Sequence, residues 1–502
     1  MEFESNGLSR EEIRKKRRKK ERTQAILVLA GVVLGVCVVL GTGIAFIVKA
    51  VSGNAEKEQV AVTVSETESE ADAGEDVQDE MADADTEGAG TALDNADGEN
   101  EQPGADDGTL DGESTQPADD AKEQEENSAE EEQTGTAFAS EQQEQDALEE
   151  MVSSQISSMS IEQKVASLFF VTPSQLMGTE SAVTAVGSSF GEKMSAYPVG
   201  GVVLDQSCFT TENELKTLVS NIGTYAAAPL FIGVTDEGGE DSPFISSGIS
   251  ENVISSQQEI GQSLGAAGAY SAGISLGSEL KQFGINVDFA PCVDISWKEG
   301  SVAQSKGFGV DATNTAELGK NVVKGLTDQK IYAAVKYFPG YGDVTQDGNS
   351  GQVVSQRTKE DLKNEYEPYL EAIDAGAKFV VVSHVSLPKV RGDKRPASLS
   401  PEIITDIIRQ EWQYDGIVIT DYMNKSCMYQ KYTYAEAAVG AIEAGADMIL
   451  APKNFQKSYD GLLDAVKSGK ISEERIDESL KRIFRVKFAR KAAEMVSQDM
   501  TE

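Results

Sequence analysis

Eight short apolar runs rich in β-branched residues, spaced through about 350 residues and separated by longer segments of helical periodicity, limit what this chain can fold into. The expected strands are Leu168 to Thr172, Gly201 to Leu204, Leu230 to Val234, Ile285 to Ala290, Ala333 to Tyr337, Phe379 to Ser383, Ile417 to Thr420 and Met448 to Leu450. Between them Glu212 to Ser220, Ser256 to Phe283, Asn314 to Gln329, Lys359 to Ala375 and Pro401 to Glu411 read as helices. Strands that alternate with helices require right-handed parallel crossovers. Eight such units in this length favour a closed α/β barrel of the TIM-type (β/α)8 class over an open doubly wound sheet, which is the alternative.

In a barrel of this kind functional groups belong just after the strands, at the C-terminal rim. Polar residues do fall there: Asp236-Glu237-Gly238-Gly239 after the third strand, Cys292 and Asp294 after the fourth, Lys336 and Tyr337 at the end of the fifth, His384 after the sixth and Asp421 after the seventh. Any single one could be a solvent-facing strand end. Their recurrence at one rim points to a site.

The rest of the chain is organised differently. Residues 1–24 form a basic segment dominated by Arg14 to Arg22 (RKKRRKKER), and Ala25 to Val48 is an uncharged apolar run of about 24 residues, long enough to cross a bilayer and too long for a cleavable signal peptide. The basic flank puts the N-terminus in the cytoplasm and the remainder outside a bacterial cell membrane, so residues 25–48 are expected to be a single transmembrane helix with the lipid bilayer as partner. Residues 49–150 are acidic and nearly free of aromatics, a composition expected to stay disordered. They carry roughly thirty of the forty excess negative charges, so the net charge of −40 describes a tether more than the folded domain at 151–502. A tether is favoured here over a nucleic-acid or metal-binding role. One histidine and four scattered cysteines without a C-x-x-C pair give no zinc or iron-sulfur framework.

Within the barrel Asp421 closes IVITD, where a carboxylate can attack an anomeric carbon; the competing role is a helix cap. Asp236, beside a Gly-Gly pair, can accept hydrogen bonds from two sugar hydroxyls, although D-E-G-G is also ordinary turn composition. Lys336 and Tyr337 open an irregular loop, KYFPGYGDVTQDGNSG, that could cover a pocket.

These segments resemble family 3 glycoside hydrolases, most closely the single-domain β-N-acetylhexosaminidase branch. The resemblance covers nearly all of residues 156–490, through MSIEQKVASLFFV, YPVGGVVL, IGVTDEGG, INVDFAPCVDI, AAVKYFPGYGD, VVVSHVSLP, RPASLSPEIITDIIR, DGIVITDYM, AIEAGADMIL and GKISEERIDESLKRIFRVK in the family's order. It implies a retaining β-glycosidase acting on a glycan such as cell-wall material, with Asp421 as nucleophile, Asp236, Lys336, Tyr337 and Lys306 in sugar-contacting positions, His384 as an orienting or substrate-contact residue, and no metal or organic cofactor. That branch carries its acid-base histidine in a D-S-H triplet; the matching residues here are Asp347-Gly348-Asn349. Asparagine does not titrate near neutral pH, so it cannot exchange a proton with a leaving oxygen. Tyr337 and Tyr341 replace two further histidines, and Lys306 stands where the family has an arginine. Asp343, Asp347 and Glu237 are candidate replacement acids. The second reading is therefore a catalytically degenerate barrel that binds glycan or serves as an envelope scaffold. The oligomeric state is not legible in the sequence.

Overall fold

The computed structural model describes residues 141–499. The expected transmembrane run at 25–48 and nearly all of the acidic segment lie outside them; among the described residues no helix is long and apolar enough to cross a membrane.

All eight expected strands form: β1 (Phe169–Val171), β2 (Gly201–Val203), β3 (Phe231–Val234), β4 (Val287–Asp288), β5 (Tyr332–Phe338), β6 (Phe379–Val382), β7 (Ile417–Thr420) and β8 (Ile449–Leu450). Neighbours pair in parallel in the order β7-β6-β5-β4-β3-β2-β1-β8. A bridge between Ile419 and Met448 brings the two ends together, and the Thr420 hydroxyl accepts the Leu450 N–H at 3.1 Å. The result is a near-closed eight-strand parallel barrel of the TIM type, as expected from the alternation.

Every residue of FVVV in β6 and of IVIT in β7 is buried, because the barrel interior covers one face and the helices the other. Aromatic side chains fill the interior. Phe170 lies 6.3 Å from Phe231 and 5.2 Å from Phe289, and Phe289 reaches Tyr422 at 6.5 Å. Gly201 and Gly233 leave room for them: a Cβ on Gly201 would sit 2.6 Å from the Phe170 ring.

Side-chain caps set the helix starts. Thr211 caps Glu212–Thr224, Asp311 caps Ala312–Asp328 and Thr433 closes a capping box on Tyr434–Glu443. Two expectations were too regular. The helix expected over 256–283 is interrupted by a π turn at Ile260–Leu264, with Gly261 pressed so closely on the Phe308 carbonyl that a Cβ would meet it at 1.8 Å. The segment Glu402–Glu411 is itself wound as a π helix.

Candidate active site

Asp421 follows β7 and is fully buried at the rim. Its Oδ2 accepts hydrogen bonds from Lys425 Nζ at 2.6 Å and Tyr341 OH at 3.1 Å, while Oδ1 accepts the Tyr422 N–H at 2.7 Å. Burial alone would raise its pKa, but the Lys425 ammonium and the hydrogen bonds from Lys425 and the Tyr422 N–H outweigh it and hold the carboxyl below its ordinary value. Asp421 is thus an ionised carboxylate with one oxygen doubly held and the other holding a single backbone donor.

Lys336 ends its apolar run fully buried, with Nζ 2.8 Å from Glu237 Oε1 and 5.1 Å from the Tyr337 ring centroid. Lys306 approaches Glu237 at 3.9 Å, whose charge raises the lysine pKa. It also lines an open cleft of about 660 Å³ with Gln258, Ser301, Gln346, Asp347 and Ser350, between the loops that follow β4 and β5. The Tyr337 and Tyr341 rings meet edge to face at 5.5 Å.

Asp236 and His384, both expected at the sugar site, also bond within the protein. Asp236 accepts the Gly238 N–H at 2.9 Å and the Ser242 hydroxyl at 2.8 Å, which turns its carboxylate into its own loop. Gly238 has φ +74, and a Cβ there would sit 2.7 Å from the Ser255 carbonyl, so the turn requires glycine. The hydroxyl of the neighbouring Thr235 lies 3.3 Å from Tyr422 OH. His384 is fully buried, with Nδ1 2.7 Å from the Ser398 hydroxyl and Nε2 3.1 Å from the Tyr422 carbonyl. A carbonyl can only accept, so Nε2 carries the proton and Nδ1 accepts from Ser398. Burial lowers the ring pKa to about 4 and keeps it neutral. It holds the segment that follows Asp421.

None of the candidate replacement acids is unengaged. Asp343 accepts from Ser355 at 2.7 Å and pairs with Arg357 at 3.1 Å. Asp347 accepts both the backbone N–H and the side-chain amide of Asn349, at 3.0 and 2.5 Å. Glu237 is held between the two lysines. The Asp347-Gly348-Asn349 turn is docked on the segment after β7: the Cys427 N–H donates to the Gly348 carbonyl at 3.0 Å and the Ser426 hydroxyl to the Asn349 carbonyl at 2.5 Å.

Asp294 shapes the Lys336–Asp343 loop. Its carboxylate accepts the Tyr337 N–H, the Tyr341 N–H and the Tyr369 hydroxyl at 2.9, 2.9 and 2.8 Å. Asp294→Ala leaves three buried donors without a partner, and unfolding in denaturant is expected to show a loss of about 3–5 kcal/mol.

Asp236 gives the protein a pH-dependent stability. Burial pushes its carboxyl up to about 7, against roughly 4 in an unfolded chain. Between those values the folded state holds a proton that the unfolded state has released, so stability falls as pH rises through that window. Asp288, also raised by burial, acts in the same direction. Denaturant midpoints measured between about pH 5 and pH 8 should fall, by up to ~3 kcal/mol in free energy from Asp236, and Asp236→Asn should flatten the slope.

Residues 160–486 match the profile of the Glycosyl hydrolase family 3 N terminal domain. Beta-hexosaminidase A of Pseudoalteromonas piscicida is 26% identical over 337 residues, a match that covers 61% of this chain and 56% of that protein. A beta-hexosaminidase of Thiobacillus denitrificans is 30% identical over 50% of this chain and 71% of its own. Among solved structures, the glycoside hydrolase family 3 beta-N-acetylglucosaminidase of Paenibacillus sp. str. FPU-7 superposes with TM-score 0.61 at 32% identity, covering 67% of this chain and 63% of that one. The chain spans just over half the length of the Pseudoalteromonas relative. With the barrel, the rim carboxylate and a profile match over most of the chain in agreement, this chain belongs to glycosyl hydrolase family 3 and is β-hexosaminidase-like within it.

Proposed function

We propose that residues 151–502 form a glycoside hydrolase that cleaves β-linked N-acetylhexosamine or a related sugar of the cell wall with retention of configuration, Asp421 being the nucleophile. The observation that carries this reading is the fully buried Asp421 carboxyl just after β7, with Oδ2 held by Lys425 and Tyr341 and Oδ1 by a single backbone N–H. Oδ1 attacks the anomeric carbon as the bond to the leaving oxygen breaks, giving a glycosyl ester that water then opens. Asp236, Lys336, Tyr337 and Lys306 are the sugar contacts in this reading.

The apolar run at 25–48 anchors the chain in a cell membrane with residues 1–24 inside, and the acidic segment links it to the barrel outside.

A second reading, a barrel that binds glycan without turning it over, is favoured by Asn349 at the acid-base position and by the ammonium on the nucleophile. The two readings separate on leaving-group dependence. A hydrolase that lacks its general acid turns over aryl β-N-acetylglucosaminides of acidic phenols far faster than those of weakly acidic ones, and azide accelerates it by opening the glycosyl ester without a general base. Release of phenol from no member of the series, with sugar binding retained, supports the binding protein.

A further inference from the structure

Lys425 holds a position that the proposed reaction does not require. Its ammonium lies 2.6 Å from Asp421 Oδ2 and 5.5 Å from the ring centroids of both Tyr337 and Tyr341. The two rings meet edge to face, Tyr341 also donates to the same carboxylate oxygen, and the lysine side chain is only 13% exposed. Two aromatic rings and one carboxylate converging on a point make a receptor for a cation. In this chain the receptor is filled from within.

The location gives that occupancy its consequence. A carboxylate at this rim attracts positive charge that develops on a sugar ring in the transition state, or that a protonated ring nitrogen carries permanently. An ammonium already seated on Oδ2 neutralises that attraction and repels a second cation a few ångströms away, in surroundings where burial keeps solvent from screening it. A neutral sugar suffers no such repulsion.

Resting on the reading of the Asp421 pocket as a sugar site, we propose that Lys425 determines the charge selectivity of that pocket: its ammonium is the resident occupant of a cation cage built from Asp421, Tyr337 and Tyr341, so the site accepts neutral sugars and rejects sugar-shaped cations.

The test is calorimetric binding of two ligands of N-acetylglucosamine configuration to the full-length chain in detergent: a neutral lactam and a piperidine iminosugar protonated at neutral pH. The wild-type chain is expected to bind the lactam at least about tenfold more tightly than the amine. Lys425→Met is expected to tighten amine binding by at least about tenfold while lactam binding stays within about threefold, because the cage is then empty and still anionic. Lys425→Gln should behave as Lys425→Met does, and serves if the methionine variant folds poorly. Lys425→Arg should keep the wild-type preference. Amine affinity unchanged in both neutral variants would overturn the proposal, as would an equal gain for both ligands, which marks a steric effect. Failure of every form to bind the lactam counts against the sugar site itself, whereas a selective gain for the amine in the neutral variants still supports the cage.

Discussion

Asn349→His is expected to raise hydrolysis of an N-acetylglucosaminide with a poor leaving group by about 10²- to 10⁴-fold, the usual contribution of general acid-base catalysis. The gain should be smaller for an activated aryl glycoside, whose leaving oxygen needs little protonation. The supporting partner is already in place: Asp347 accepts both the backbone N–H and the side-chain amide of Asn349, so a histidine there meets a carboxylate that can fix its tautomer. Completing the triplet with Gly348→Ser should add nothing. Gly348 sits at φ +91, and a Cβ on it would lie 2.9 Å from Cys427 Sγ, so the serine must strain the turn or move the cysteine. A steady-state rate series with the single and double variants checks both statements. An Asn349→His protein no faster than wild type on the poor leaving group would show that the docked loop cannot present a proton donor to the sugar.

Asp421→Asn is expected to lower turnover of the most activated aryl glycoside by roughly 10⁴-fold or more, since the amide cannot form the glycosyl ester. Azide should not rescue it, because the step it assists comes after the one that is lost. The same change leaves the Lys425 ammonium without its carboxylate. Sugar binding by Asp421→Asn, measured alongside the rate, separates loss of chemistry from loss of the pocket.

The barrel was legible because its cause is local. The strands β6 and β7 are short β-branched runs buried on both faces, and such runs stand out against helical segments with a polar side, so FVVV and IVIT are legible without any tertiary contact. Helix interiors were less so. The π turn at Ile260–Leu264 answers to the Phe308 carbonyl pressing on Gly261, a contact between residues far apart in sequence.

Rim positions were legible as positions and much less as orientations. Thr235 and Asp236 follow directly on β3, outside the regular alternation of the strand, so their partners could not be read from the pattern. The structure adds that the Thr235 hydroxyl lies 3.3 Å from Tyr422 OH and that Asp236 accepts from Gly238 and Ser242. Lys425 was missed although a signal existed: it follows Asp421 by four residues, a spacing that lets oppositely charged side chains meet when the chain turns helically. The bracing role of Asp294 left no such trace, because its three donors come from residues 43, 47 and 75 positions away.

A covalent bond between Asp421 and the sugar is tested by mass spectrometry of the protein after incubation with an activated fluorosugar of N-acetylglucosamine configuration, which slows hydrolysis of the glycosyl ester more than its formation. The expected result is an added mass of one fluorinated sugar, localised by proteolysis to the peptide containing Asp421 and absent from Asp421→Asn. Phenol release by the wild-type chain from its usual aryl glycosides, with no adduct or with an adduct on another carboxylate, would contradict it.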